Sequence, residues 1–117
     1  MKIKRIRDLL SATLRSGEEL LDAEVVSACS SDMMSDVLAY VKDQGVLLTG
    51  LVNGQVIRTA AMMDMLCVVF VRDKVPTEEI LTLARECGIA VMQTSLRAYE
   101  AAGKLYLAGL GRCAGDE

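Results

Sequence analysis

Short apolar runs alternate along the chain with segments in which apolar residues recur every three or four positions. Four runs are nearly unbroken, which is typical of strands buried on both faces of a sheet. They are "VVSAC" (25–29), "VLLT" (46–49), "LCVVFV" (66–71) and "IAVMQT" (89–94). The pair Leu20-Leu21 is a candidate for a further short strand.

Segments with helical periodicity separate these runs. In a predicted helix over 33–43, one apolar stripe contains Met33, Val37, Tyr40 and Val41, and Gln44-Gly45 ends the helix. The other predicted helices cover 3–14, with a basic outer face, 55–65, 78–87 behind the N-cap Thr77, and the residues after Ser95 as far as 110. The inward stripe of the helix over 78–87 is predicted to be Ile80, Leu83 or Ala84, and Cys87.

Buried strands that are separated by helices predict a parallel sheet covered on both faces. We therefore predict an α/β protein, a three-layer α/β/α sandwich whose mostly parallel central sheet has about five strands. No linker or low-complexity segment divides the chain. Residues 1–112 are predicted to form a single domain, with 113–117 as a frayed tail.

Charge and composition exclude several classes of partner. The 117 residues carry a net charge of −3, which argues against nucleic acid, and the basic residues between Lys2 and Arg15 are better explained as a solvated helix face. No apolar run reaches the roughly 18 residues of a membrane span and no signal peptide is visible, so we expect a cytoplasmic protein that contacts no membrane. The cysteines are interpreted as small core residues at Cys29, Cys67 and Cys87 and as a tail thiol at Cys113.

The chain contains no histidine. This excludes Ser-His-Asp and Cys-His catalysis and zinc sites built on histidine. Asp32 and Asp36 are four residues apart and are candidates for a metal site or for acid–base chemistry, but a helix cap beside an exposed acid is the simpler interpretation. We therefore predict a protein that is not an enzyme and that has no catalytic residue, metal or cofactor.

Small polar residues follow three of the predicted strands where the next helix begins. The carboxyl ends of parallel strands share one edge of a sheet, where free helix N–H groups bind anions. Asp32, Asn53 and Ser95 also fit the simpler role of N-caps. The predicted ligand site consists of Ser31 and Asp32 after the first strand, Thr49, Gly50 and Asn53 after the second, Arg72 after the third, and Thr94 and Ser95 after the last.

The loop "TGLVNG" (49–54) joins a strand to a helix without a known nucleotide signature. It lacks the Gly-Lys-Ser/Thr ending of a P-loop, and the spacing of Gly50 and Gly54 does not match a dinucleotide fingerprint. Arg58 and Lys74 lie nearby in sequence and are either anion ligands or solvated side chains. The loop therefore predicts a tight turn with room for a small anion.

Three segments resemble the DRTGG-domain family: "SSDMMSDVLAY", "LLTGLVNGQVIRTAAMMDMLCVVFVRDKVPTEEILTLARECGIAVMQT" and "SLRAYEAAGKLYLAGL". That family is similar to the N-terminal domain of HPr kinase/phosphorylase, and this chain looks like its small stand-alone members. The resemblance implies an α/β/α sandwich, a regulatory role and self-association. The chain departs from the naming motif, because Leu51-Val52-Asn53 replaces its Asp-Arg pair and Val71-Arg72-Asp73 replaces its Thr-Gly-Gly.

These observations support two main hypotheses. In the first, a regulatory domain binds a phosphorylated metabolite or a nucleotide at the predicted edge and signals to a partner protein. In the second, a module without a small ligand homodimerises or docks another protein, which would explain the Met-rich segment 55–65, the apolar final helix and the mean hydropathy of +0.33. A carboxylate enzyme using Asp32, Asp36 and a divalent metal is a third hypothesis. We favour the first, with homodimerisation added from the second.

Overall fold

The computed structural model describes residues 1–40 and 44–111. Helices and strands alternate through most of this part of the chain. The helices are α1 (Ile3–Leu10), α2 (Met34–Tyr40), α3 (Gly54–Met62), α4 (Glu78–Cys87) and α5 (Ala98–Leu107), and the strands are β1 (Thr13–Ser16), β2 (Ser27–Ser30), β3 (Gly45–Thr49), β4 (Cys67–Phe70) and β5 (Ala90–Gln93). A single 3-10 turn spans Glu18–Leu20.

The five strands form one sheet in the order β1-β5-β4-β3-β2. The strands β2, β3, β4 and β5 are parallel neighbours in chain order, and β1 pairs antiparallel with β5. Right-handed crossovers that all step in one direction place their helices on the same face. Accordingly α2, α3 and α4 cover one face and α1 and α5 the other, which confirms the predicted three-layer sandwich and its mostly parallel sheet.

The unbroken apolar runs supply both faces of this sheet. Leu47, Val68 and Phe70 are buried against the helices α2 to α4, whereas their neighbours Leu48 and Val69 are buried against α1 and α5. Successive side chains of a strand point to opposite faces, so a strand between two helix layers is apolar at most of its positions. The core therefore consists of two apolar layers, one on each side of the sheet.

The prediction of a helix over 3–14 is wrong beyond Leu10. The helix ends at Ser11, which adopts a left-handed conformation (φ 50°) and donates its backbone N–H to the carbonyls of the last turn. Thr13–Ser16 then pairs with the outer edge of β5. That edge has unpaired backbone groups, and satisfying them outweighs the weak helical period of these residues.

The prediction of a strand at Leu20-Leu21 is also wrong, because this pair belongs to a tight turn. Leu20 donates its backbone N–H to the carbonyl of Gly17 at 2.8 Å, and the carbonyl of Leu21 accepts from Lys4 at 2.9 Å. The turn therefore supports the start of α1 instead of the sheet. The fifth strand of the sheet is β1, which the sequence pattern did not predict.

Other predicted boundaries shift by a few residues. Gly45 is the first residue of β3, and the end of the helix predicted over 33–43 lies outside the described residues. Met65 is buried just after α3 has ended. Val37 is buried as predicted, but Met33 is 61% exposed. The remaining members of that predicted stripe, the Tyr40 side chain and Val41, lie outside the described residues, as does Cys113.

The cysteine prediction holds only in part. Cys67 is buried, and burial raises the pKa of its thiol, while Cys29 is half-buried and its pKa is also raised, mainly by burial. Cys87 is exposed, so its predicted place in the core is wrong. The buried stripe of α4 consists of Ile80, Leu81 and Ala84, and it ends before the helix does.

Gly17 lies where the chain passes close to β5, and a substitution there tests this packing. It adopts φ 89°, and a Cβ there would lie 2.6 Å from the Cα of Ala90. We expect Gly17→Ala to cost about 1–2 kcal/mol for the left-handed backbone and about 1–3 kcal/mol more for overpacking. The fall in the free energy of unfolding in urea measures this cost.

Gly88→Ala is the matched control for this prediction. Gly88 ends α4 in a similar left-handed conformation (φ 71°), but no atom of residues 1–40 or 44–111 lies within 4 Å of an added Cβ. The free energy of unfolding of this variant should therefore fall only by the cost of the left-handed backbone. Equal losses of stability in the two variants would contradict the packing of Gly17 against β5.

Candidate functional site

The carboxyl ends of β2, β3, β4 and β5 lie along one edge of the sheet. The register aligns Thr49 with Phe70 and Phe70 with Gln93, so the loops that follow these strands are neighbours. Seven of the eight predicted site residues lie in these loops, and Thr49 is the last residue of β3. Four of them form one continuous cluster: Asp32, Thr49, Gly50 and Arg72.

Asp32 connects the loop after β2 to the loop after β3. Its Oδ1 accepts hydrogen bonds from the backbone N–H of Gly50 at 2.8 Å and from the hydroxyl of Thr49 at 2.9 Å. The pKa of Asp32 is lowered, above all by the hydrogen bond from the Gly50 N–H. The Thr49 hydroxyl, the positive charge of Arg72 and the N–H of Leu51 lower it further, whereas burial raises it. The carboxylate therefore acts as a charged acceptor that holds two loops together.

The prediction that Asp32 caps α2 is wrong. The carbonyl of Met33 accepts the first helical hydrogen bond, from Val37 at 3.2 Å, so Asp32 lies one residue before the cap position. Ser31 closes this turn instead, since its Oγ accepts from the N–H of Met33 at 3.0 Å. Because its own helix does not use it, the Asp32 side chain bonds to the neighbouring loop.

Asn53 caps α3 as predicted. Its backbone is extended (φ −158°), and its side chain accepts from the N–H of Val56 at 3.2 Å. The next residue, Gly54, begins the helix, and a Cβ there would lie 3.4 Å from two guanidinium nitrogens of Arg58. Arg58 therefore folds back over the first turn of α3, close to the positive end of the helix dipole.

Arg72 lies directly against Gly50. A Cβ on residue 50 would overlap a terminal nitrogen of Arg72 and lie 3.0 Å from its Cζ. The residue itself has a left-handed backbone (φ 58°), as does Asp73 (φ 56°), and its N–H donates to the carbonyl of Leu96 at 2.8 Å. A side chain at residue 50 would therefore have to displace the Arg72 guanidinium, and Gly50 is not among the residues with positive φ.

Thr94 and Ser95 differ in what they do. Thr94 is buried, and its hydroxyl donates to the carbonyl of Leu10 at 2.8 Å and accepts from the N–H of Leu96 at 3.2 Å. Ser95 is exposed, and its predicted role as a cap is wrong because α5 begins at Ala98 behind Arg97. The Glu100 side chain accepts from the Arg97 N–H at 3.4 Å instead.

A cleft of about 730 Å³ lies between the first turn of α3 and the side of α4. Asn53, Gly54 and Arg58 line one wall, and the opposite wall includes three carboxylates, those of Glu78, Glu79 and Glu86. The cleft thus offers a guanidinium and a helix N-terminus to an anion, and carboxylate acceptors to hydroxyl or amino groups.

Some residues of this site were not in the predicted set. Arg58 was considered but not included, although its position four residues after Gly54 places it one helical turn away on the same side. The glutamates of α4 were not predicted, because two of them are explained equally well as acids in a first helical turn. Within residues 1–40 and 44–111, no group of three or more His, Cys, Asp or Glu side chains is arranged to hold a metal ion.

The fold is similar to that of a solved structure that contains two kinds of domain. This is the crystal structure of the CBS and DRTGG domains of the regulatory region of Clostridium perfringens pyrophosphatase, complexed with the activator diadenosine tetraphosphate. The TM-score is 0.71 at 17% sequence identity, over 89% of this chain and 45% of that one. The chain thus spans less than half of that structure, and at this identity the similarity shows a shared fold with part of a regulatory region.

Comparisons at the level of sequence give no relatives. No protein-family model matches the chain, and no curated protein matches it either. Among the described residues, no helix is long and apolar enough to cross a membrane.

Acidification should remove the contribution of Asp32 to stability. The pKa of Asp32 is lower in the folded protein than its ordinary value, so the carboxylate stabilises the fold above about pH 4 and this contribution is lost as the pH falls through the lowered pKa. Wild type and Asp32→Asn should therefore differ in free energy of unfolding at neutral pH, and the difference should shrink below about pH 4.

Ser31→Ala provides a control in the same loop. Serine does not titrate, so any loss of stability in this variant should be the same at both pH values. The titration of the Asp32 carboxyl group by NMR checks the cause directly. An Asp32 pKa equal to that of an unfolded chain would contradict the assignment.

Proposed function

We propose that this chain is a non-catalytic regulatory domain that binds a phosphorylated metabolite or a nucleotide at the carboxyl edge of its sheet and signals to a partner protein. One observation carries the proposal. A guanidinium group lies against each end of the β3–α3 loop, Arg72 on Gly50 and Arg58 on Gly54. In the same proposal, residues 1–112 form one DRTGG-like domain, as the sequence resemblance implies.

The loop between these arginines ends at a helix N-terminus. The first N–H groups of α3 have no partner inside the helix, and only one of them is bonded to Asn53. A phosphate group placed there gains N–H donors, the helix dipole and charge-assisted hydrogen bonds from guanidinium groups. Phosphate binding is the chemistry that this combination favours.

Asp32 positions the loop in this proposal and does not touch the ligand. Its carboxylate is stabilised by hydrogen bonds from Gly50 and Thr49 and by the positive charge of Arg72. Because the Gly50 N–H already donates to this carboxylate, the proposed contacts are the Arg72 side chain and the start of α3 beyond Asn53. Of the last predicted pair, the proposed contact is the exposed Ser95, since Thr94 already donates to the carbonyl of Leu10 and accepts from the N–H of Leu96.

The cleft beside α3 suits the remainder of a nucleotide. Carboxylates accept hydrogen bonds from ribose hydroxyls in other nucleotide sites, and Glu78, Glu79 and Glu86 face this cleft. Its volume of about 730 Å³ falls within the usual range for small-molecule sites, roughly 300–1,000 Å³. A nucleotide is therefore a better match than a lone phosphate ion.

The fold similarity supports a regulatory role. The regulatory region of the Clostridium perfringens pyrophosphatase was crystallised in complex with a nucleotide activator. That activator, diadenosine tetraphosphate, combines linked phosphates with two nucleosides, so it is a suitable probe for this chain. The lack of histidine in the sequence removes the imidazole chemistry on which many catalytic sites depend.

A second candidate function is a protein-interaction module that has no small ligand. The observation that favours it is the exposure of Tyr99 and Leu107 on α5, at 90% and 82%. Large apolar side chains grouped on one surface are typical of protein interfaces. We propose homodimerisation as a property that accompanies ligand binding, so the two candidates differ in whether a small molecule binds.

Native mass spectrometry of the protein tests the ligand. Samples incubated separately with inorganic phosphate, ATP and diadenosine tetraphosphate report bound mass and subunit number together, and we expect an adduct with a nucleotide. Arg58→Gln and Arg72→Gln each remove a charge-assisted contact worth about 1.5–3 kcal/mol, so each should weaken nucleotide binding by roughly tenfold or more.

Arg85→Gln is the matched control for these variants. Arg85 lies in the last turn of α4, at the opposite edge of the sheet, so this variant should bind as the wild type does. Unchanged affinity in Arg58→Gln and Arg72→Gln would rule out the proposed site. A protein that stays bare with all three probes would favour the interaction module.

A further inference from the structure

α5 has apolar residues on two opposite sides. Ala101 and Leu105 are buried against the sheet and α1, whereas Tyr99 and Leu107 project outward and are almost fully exposed. Only two charged residues, Glu100 and Lys104, occur between Ala98 and Leu107. A helix that is apolar on both sides is typical of a helix that is buried on both sides.

A groove of about 910 Å³ lies beside this helix. Its walls are α5 and the outer edge of the sheet at β2, and the lining residues include Ala28, Leu48 and Gly103. β2 is the last strand of the sheet. The protein therefore presents a projecting apolar helix side next to an apolar groove, and two copies can fill each other's groove.

The charges on α5 are arranged for pairing with an identical helix. Glu100 and Lys104 are one turn apart, and neither forms an ion pair within residues 1–40 and 44–111. In an antiparallel pair of α5 helices whose two-fold axis passes midway between Glu100 and Lys104 along the helix, Glu100 comes opposite the partner's Lys104, and the reverse pair forms as well. A symmetric interface is self-complementary in this way.

Gly103 allows the two helices to approach closely. Among the described residues, a Cβ at this position would meet nothing within 4 Å, so no contact with that part of the protomer requires glycine there. Glycine in the middle of a helix costs about 0.5–1 kcal/mol relative to alanine. Beside the proposed two-fold axis, its small size removes a steric barrier between the helices.

The area available is close to what a dimer needs. Aromatic side chains bury roughly 150–250 Å² each, so Tyr99, Tyr106 and Leu107 together with the groove walls supply on the order of 500 Å² per protomer. A symmetric pair then reaches the roughly 1,000 Å² that a specific interface requires.

We propose that a second copy of this chain packs on this surface, with the two α5 helices antiparallel across the groove beside β2. Self-association is part of the proposed function, and this inference specifies the surface that forms the dimer. It rests on the proposed function for self-association and not for ligand binding. In this arrangement Tyr99 lies against the partner's Tyr106, and Leu107 enters the partner's groove.

Charge reversal and charge exchange test the two-fold arrangement. We expect wild type to be a dimer in sedimentation velocity at micromolar concentration. Lys104→Glu places like charges opposite each other and should raise the dimer dissociation constant by about tenfold or more. The double variant Glu100→Lys/Lys104→Glu restores opposite charges only if the partner is an identical helix, so it should recover the dimer.

Two further variants control for folding and location. Arg85→Glu reverses a charge in the last turn of α4, on the other helix layer, and should leave the dimer unchanged. Tyr99→Ala removes an exposed side chain that has no place in the core, so it should weaken the dimer while its thermal unfolding stays close to that of the wild type. Circular dichroism confirms that each variant is folded.

Three results would overturn the proposal: a monomeric wild type, a folded double variant that stays monomeric, or a dimer that dissociates in Arg85→Glu but not in Lys104→Glu. Titration of Lys104→Glu with diadenosine tetraphosphate separates this inference from the proposed ligand site. Loss of the dimer in this variant with nucleotide binding retained supports the α5 surface and leaves the arginine site intact, whereas a wild-type dimer that binds no nucleotide would contradict only the ligand proposal.

Discussion

Parallel pairing of β2, β3, β4 and β5 in chain order is the constraint on which the other features depend. After each of these strands the chain must return to the same end of the sheet before the next strand begins. Each connection between consecutive strands is therefore a helix that crosses one face of the sheet. Three helices fill that face, and α1 and α5 remain for the other. The same pairing brings four loops to one edge, and it leaves β2 as an outer strand with α5 beside it.

In the proposed ligand site at the carboxyl edge, charged side chains take the place of the glycine-rich backbone that holds phosphates in P-loop proteins. Asp32 joins two loops through Gly50 and Thr49, and Arg72 occupies the space that a side chain at residue 50 would need. The left-handed backbone of Arg72 costs free energy, of order 1–3 kcal/mol. The backbone hydrogen bonds of its loop to Leu96 and Thr94 offset that cost and fix the backbone from which the guanidinium extends.

One strand connects the two surfaces that we propose to be functional. Ala28 and Ser30 of β2 line the groove beside α5, and Asp32, two residues farther along, reaches the loop that bears Gly50. The proposed ligand edge and the proposed subunit contact are thus built on the same short segment of the chain.

The order and type of most elements, the two-sided burial of the strands and the cap at Asn53 were determined by the sequence alone, because they depend on periodicity and on residues close in the chain. The place of Thr13–Ser16 was decided by the tertiary structure, since only the open edge of β5 makes a strand of it. The bonds of Asp32, the packing of Arg72 on Gly50 and the burial of Thr94 against Leu10 likewise join residues 17 to 84 positions apart. Hydrogen bonds and steric contacts over such separations exist only after the sheet has brought the loops together, so no local pattern in the sequence could show them.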